Sequence, residues 1–157
     1  ITGSGFGTKK GKVLIGGVAT KIAKGSWQPD SITCTVTKVP SVGTHNVTIK
    51  PYKATDITLY DAFTVKYPEI YSLDFYHGAV GNPIIITGNF FSTKKGKVYL
   101  GNQVSRKRKN CKVTSWDMDS ITFVVPKTSK SFPAETYFLD VANKIGVAGA
   151  PSPFTID

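Results

Sequence analysis

The chain has 157 residues, 40% of them hydrophobic, with a formal charge of +10 from 20 Lys and Arg against 10 Asp and Glu. No apolar run approaches the roughly 18 residues that would span a membrane. No basic segment followed by an apolar stretch opens the chain at Ile1-Thr2-Gly3-Ser4. Val, Ile, Thr, Tyr and Phe are prominent, which favours strands over helices, and the positive balance favours anionic partners without saying anything about fold.

The elements read as short strands separated by turns. Val13-Leu14-Ile15 ends at Gly16-Gly17. Ile32, Cys34 and Val36 alternate with Thr33, Thr35 and Thr37, the period-two signature of a strand with one buried face. Val47 and Ile49 alternate around Thr48, and Pro51, which has no N–H to give a ladder, ends the run. Phe63 and Val65 flank Thr64 in the next strand. Val65-Lys66-Tyr67 then leads straight into Pro68-Glu69-Ile70, a junction too short for a flexible linker, which predicts limited hinge freedom. Ile70 to Phe75 is the next strand, and Ile121, Phe123 and Val125 repeat the alternation seen at Ile32 to Val36. Helical periodicity is not sustained anywhere, so regular short strands predict a β-sandwich.

The chain repeats itself. Ile1-Thr2-Gly3-Ser4-Gly5-Phe6-Gly7-Thr8-Lys9-Lys10-Gly11-Lys12-Val13 returns, at one constant offset, as Ile86-Thr87-Gly88-Asn89-Phe90-Phe91-Ser92-Thr93-Lys94-Lys95-Gly96-Lys97-Val98. Trp27 with Asp30-Ser31-Ile32-Thr33 returns as Trp116 with Asp119-Ser120-Ile121-Thr122, at an offset larger by four. The added positions lie between Gly101 and Trp116, in the stretch that holds Arg106-Lys107-Arg108-Lys109. Gly43 to Ile49 matches Glu135 to Val141, and Ala62 to Val65 matches Pro153 to Ile156. Four blocks in one order predict two modules, 1–67 and 68–157.

These blocks resemble the IPT/TIG family, the immunoglobulin-like fold shared by plexins and certain transcription factors. The second module carries Pro68-Glu69-Ile70, Gly78 and Gly81, Ile86 to Phe91, Val98 with Gly101, and Trp116 with Ile121-Thr122. The first carries Ile1 to Gly7, Gly16-Gly17, Trp27 with Ile32-Thr33, and Gly43-Thr44. The resemblance implies an all-β chain of two consecutive immunoglobulin-like (E-set) β-sandwich modules. Within it, the pattern is similar to bacterial surface and secreted repeats, which implies an extracellular or cell-surface setting. Phe90 and Ser92 depart from the family's two loop glycines, and Glu135 stands where Gly43 does.

Candidate sites follow. The second module has the stretch Pro68 to Ile85 ahead of its Ile-Thr-Gly block, and the first has no counterpart to it. An opening strand is therefore expected to be missing from module 1, leaving Ile1, Thr2 and Gly3 as an edge. Residues upstream, a protein partner or another copy of the chain would complete that edge by strand addition. Lys9, Lys10 and Lys12, with their copies Lys94, Lys95 and Lys97, read either as solvated loops or as contacts for phosphates or acidic sugars. Arg106, Lys107, Arg108 and Lys109 form the densest cluster and the first choice for a polyanion contact. Trp27 and Trp116 read as core or end caps, with sugar stacking as the alternative; Tyr52, Tyr60 and Tyr76 are candidate exposed aromatics. Cys34 and Cys111 fall in different modules and read as free thiols, with Cys34 buried. Asn46-Val47-Thr48 fits a glycosylation sequon.

His45 and His77 are the only histidines, and nucleophile, zinc and nucleotide motifs are missing. An enzyme, a cofactor, a metal site and membrane insertion are therefore not expected. The functional expectation is a structural or adhesion section of a longer surface, filament or stalk protein. A carbohydrate-binding accessory module is the alternative. DNA or polyanion binding through the basic loops comes third, because the dedicated DNA-reading domain that accompanies this fold in transcription factors has no counterpart here.

Overall fold

The computed structural model describes residues 1–38, 40–102 and 107–157, which form two compact units, Ile1–Lys66 and Tyr67–Asp157. Among the described residues every regular element is a strand. The fold is all-β, as the alternation leads one to expect, and has the immunoglobulin-like sandwich class that the family resemblance implies.

In the first unit β1 (Lys12–Ile15), β2 (Val18–Ala19), β5 (Gly43–Lys50) and β6 (Ile57–Val65) form one layer in the order β2-β1-β5-β6. β3 (Lys21–Trp27) and β4 (Ile32–Thr35) form the facing pair. Ile1 lies alongside β4: its amino group donates to the Ile32 carbonyl at 3.0 Å, and the Ile32 amide returns a bond to Ile1 at 2.9 Å. Gly3 then donates to Asp30 at 2.8 Å. The core is Phe6, Val13, Ile15, Trp27, Ile32, Val47 and Ile49.

The second unit runs β7 (Glu69–Leu73), β8 (His77–Gly78), β9 (Pro83–Asn89), β10 (Lys97–Gly101), β11 (Arg108–Trp116), β12 (Ser120–Val124), β13 (Thr136–Ala142), β14 (Val147–Gly149) and β15 (Phe154–Ile156). β11 belongs to both layers. Its first half, Arg108 to Cys111, pairs with β10, and its second half, Lys112 to Trp116, pairs with β12. One layer is thus β7-β9-β12-β11 and the other β11-β10-β13-β15-β8, with β14 also on β13. Seventeen buried side chains fill the space between, against seven in the first unit. β9 flanks β12 along its whole length, from Ser120↔Thr87 to Val124↔Pro83, and Ile1 to Gly3 lie beside β4.

That difference corrects one expectation. Cys34 occupies the register position of Phe123, since Ile22 pairs with Cys34 as Val113 pairs with Phe123. Phe123 is fully buried and backed by Ile84, but Cys34 is only half-buried. The buried thiol is Cys111.

The repeat persists where its residues change. Gly5 and Gly7 have φ of 79° and 71°. This left-handed conformation costs an L-residue roughly 1–2 kcal/mol. Phe90 and Ser92 adopt it too, at 59° and 69°. The loop geometry is thus kept without glycine, and Phe91 retains the buried position of Phe6. The single strand β6 becomes two strands in the second unit. The pairing breaks at the same place in both units, between Leu59 and Phe63 in the first and, in the second, after Ala150, whose amide donates to Leu139 and which is followed by Pro151 and Pro153, both lacking the N–H.

Candidate binding site

The first basic loop and its copy are not equivalent. Lys9 lies 5.1 Å from the centre of the Tyr52 ring and Lys53 lies 5.5 Å from it, beside a shallow hollow lined by Gly5 to Lys9, Pro51, Tyr52 and Ala54. Lys10 is exposed, and Lys12 stands across from Lys50, whose ammonium pairs with Asp56 at 2.6 Å. In the second unit Lys95 donates to the Val113 carbonyl at 2.7 Å, so its charge serves the fold. Lys94 and Lys97 are exposed, and the Lys94 carbonyl accepts from Ser92 Oγ at 3.2 Å.

The densest cluster has a different setting. Arg106 lies outside the described residues. Lys107, Arg108 and Lys109 run into the start of β11, where Gly101 pairs with Arg108 and Leu100 with Lys109. In the first unit the same hairpin turns in two residues, because Ile15 pairs with Val18. Leu100 is the counterpart of Ile15, so eight residues, 101 to 108, stand between the matching pair in the second. The hairpin is therefore longer by six. The bulge in β3 between Ile22 and Trp27 is longer by two than its counterpart between Val113 and Trp116, giving the net four. Alignment by offset alone hides this pair of changes.

The connection between β12 and β13 folds back against this hairpin. Ser129 and Phe132 exchange backbone bonds of 2.7 and 3.0 Å around Lys130 and Ser131. Phe132 is buried and stacks on Tyr137 at 4.1 Å with the rings 13° apart. The Tyr137 hydroxyl donates to the Pro133 carbonyl at 2.6 Å, a tyrosine tied back to the corner that precedes its strand. Burial pushes that hydroxyl up to about 12, and the Glu135 carboxylate beside it adds to the effect. Lys109 donates to the Lys127 carbonyl and lies 5.0 Å from the Phe132 ring centre. Arg108 pairs with Asp140 at 3.1 Å. The result is a groove of about 340 Å³ lined by Lys107, Arg108, Lys109, Ser129, Ser131 and Phe132. Ser129, Ser131 and Phe132 carry no motif that marks them in the sequence; only the turn chemistry at Lys130-Ser131 signals a bend there.

The aromatic candidates separate. Trp27 is in the core, and its indole N–H donates to the Phe6 and Gly7 carbonyls at 3.2 and 3.1 Å. Trp116 packs against Phe91 and donates to Ser92 at 2.9 Å. Tyr52 and Tyr60 are exposed. Tyr76 is not a surface platform: it packs against the core and its hydroxyl oxygen accepts the Leu73 amide at 3.3 Å. Asn46 is exposed, with its carbonyl oxygen taking the Asp61 amide at 3.0 Å. Among the described residues no group of three or more His, Cys, Asp and Glu side chains could hold a metal ion.

Known proteins agree with this architecture at the level of fold. No curated protein matches the chain. A structure from Bacteroides thetaiotaomicron, of a protein of unknown function, is similar over 59% of this chain and 22% of its own, at 16% identity and a TM-score of 0.51. The surface glycan-binding protein PbSGBP-B from Prevotella bryantii is similar over 91% of this chain and 33% of its own, at 19% identity and a TM-score of 0.50. The chain thus spans a third or less of the length of either structure, and at such identities the likeness is one of fold. The family model of the IPT/TIG domain matches residues 1–67. That match spans the first unit, with its Gly-Phe-Gly loop, its buried Trp27 and its strand order.

Proposed function

We propose that this chain is a non-catalytic section of a longer surface or secreted protein, in which two immunoglobulin-like modules space and present a binding surface. One observation carries the reading. Among the described residues, the buried side chains of both units are apolar, and the charged groups of the +10 chain are turned outward. Such a molecule has its chemistry on its skin, where partners meet it. The similarity to a surface glycan-binding protein supports a surface setting and makes carbohydrate the alternative ligand to a protein. The test is polymer length. The chain, incubated with neutral and acidic polysaccharides, should leave their size-exclusion profiles unchanged; protein-dependent shortening would overturn the non-catalytic reading.

A second reading concerns the edge at Ile1 to Gly3. Ile1 and Gly3 point their backbone groups at β4, so those of Thr2 face the opposite side, where Ser72 of β7 meets Thr87 in the second unit. An extended segment of a partner laid there would add the strand that β7 supplies next door. A synthetic peptide of residues 68–76, added in excess to the full chain, should raise the melting midpoint reported by Trp27. Thr2→Pro, which removes the outward N–H, should abolish the rise. An unchanged midpoint with the unsubstituted chain would sink the idea.

A further inference from the structure

We propose that the groove between the β10–β11 hairpin and the β12–β13 connection binds a negatively charged sugar of an acidic polysaccharide. The proposal rests on the surface-module reading above and names the ligand class for it.

Two features of the groove point the same way. Among the described residues its walls carry Lys107, Arg108 and Lys109 and no carboxylate. Asp140 pairs with Arg108 at 3.1 Å, which leaves Lys107 and Lys109 as the main cations of the wall, and Glu135 accepts from Asn102 Nδ2 at 2.9 Å. Lys127 and Lys130, both exposed, extend the positive rim along the connection. On the opposite wall the hydroxyls of Ser129 and Ser131 lie 3.2 Å apart. Each can donate and accept. Phe132 lies buried beneath them, with Tyr137 stacked on its ring and the Lys109 ammonium 5.0 Å from its centre. A cationic wall for an acid group and hydroxyls for ring hydroxyls are contacts an anionic pyranose calls for. The groove encloses about 340 Å³. That is room for one sugar ring, at the lower end of the range typical of ligand sites.

The groove is also built rather than accidental. Phe132 is held by its stack on Tyr137, and the two walls are tied together by the bond from Lys109 to the Lys127 carbonyl. Lys107 to Lys109, which make one wall, follow a connection that is longer by six residues than its counterpart. The first unit closes the same sandwich with the two residues Gly16-Gly17, so the core does not need the extra length. A fold that closes with a two-residue turn but carries a longer, positively charged one uses the addition for contact.

Duplex DNA is the competing class. DNA recognition calls for a cationic surface that tracks a long backbone, and it is strongly salt-dependent. The groove is short, mixed in character and closed by hydroxyls, which fits a sugar better. Carboxylate and sulfate ester share the needed charge, and the experiment separates them. Affinity electrophoresis of the full chain at pH 7 would use gels cast with polygalacturonate, dextran sulfate or uncharged dextran, with a duplex DNA shift at matched salt.

Retardation is expected in at least one acidic gel and not in dextran, and the gel that retards identifies the acid group. Lys107→Gln with Lys109→Gln should weaken it about tenfold, the cost of losing charged hydrogen bonds. Lys94→Gln with Lys97→Gln, which removes the same charge elsewhere in the unit, should change it less than about twofold. Because Lys109 also ties the loop, Ser131→Ala serves as the second variant: it should weaken binding with an unchanged Trp116 melting midpoint, and Ser131→Thr should restore it. Equal loss in the two lysine pairs, tighter binding of DNA than of either polymer, or free passage through both acidic gels would overturn the site. None of these results touches the non-catalytic reading, which polymer length tests alone.

Discussion

Gly96→Ala should unfold much of the second unit, and Gly11→Ala should do the same in the first, each at a cost of about 3 kcal/mol or more. A Cβ on Gly96 would meet the Ala142 carbonyl oxygen at 2.1 Å and the Trp116 ring at 2.8 Å. A Cβ on Gly11 would meet the Lys50 carbonyl oxygen at 2.0 Å and the Trp27 ring at 2.9 Å. Both glycines precede β10 or β1 by one residue and lie against the last residue of the neighbouring strand, so the new atom is driven into backbone that the ladder already holds. Each unit has one tryptophan, so urea titrations followed by fluorescence read the two transitions separately once the other is replaced by Phe. The double variant Gly96→Ala, Trp116→Phe, followed by circular dichroism because its second unit has no tryptophan, should stay destabilised relative to Trp116→Phe alone, because the carbonyl clash survives removal of the indole. Recovery in that variant, or a normal midpoint for Gly96→Ala alone, would show that β13 yields.

At alkaline pH the second unit should lose stability through Cys111. Burial raises its thiol from 9.0 to about 12, while a backbone bond from Leu100 and the charge of Lys109 pull the other way. The neutral thiol is the form the core accepts, so the native pKa lies above the unfolded one. Its contribution is complete below the unfolded value of 9.0 and is lost as the pH climbs toward about 12. The full effect is on the order of 4 kcal/mol. Tyr137, raised from 10.0 to about 12, adds in the same direction over the upper part of that window. An alkaline titration followed at Trp116 should show the transition moved to higher pH in Cys111→Ala. Lysine deprotonation affects both proteins alike, so coincident transitions would mean that the thiol is ionised in the native unit at no cost.

These two predictions separate what is local from what is not. Gly11 and Gly96 were visible as a repeated pair, and the alternation at Ile32-Cys34-Val36 and Ile121-Phe123-Val125 announced two strands with one buried face each. Side-chain period and turn residues are local properties, and a motif written twice reinforces them. The left-handed loop at Phe90 and Ser92 was legible only through its copy at Gly5 and Gly7, since neither residue favours that conformation by itself.

The depth of Cys34 and Cys111 was not legible. Burial depends on what the fold lays alongside: Ile84 of β9 pairs with Phe123, while Cys34 at the matching position is half-buried. The same holds for Tyr76, whose exposure the core decided, and for the true length of the β10–β11 hairpin, which a compensating bulge in β3 concealed in the alignment. The groove is the clearest case. Lys107, Arg108 and Lys109 stood out as charge, but Ser129, Ser131 and Phe132 come well after them in the chain and become their neighbours only because Tyr137 anchors the connection beneath them. By itself, then, the amino-acid order determined the strands and the repeat, because short-range periodicity encodes them. The tertiary structure decided which charges share a cavity, because that depends on strand pairing between residues far apart in the chain.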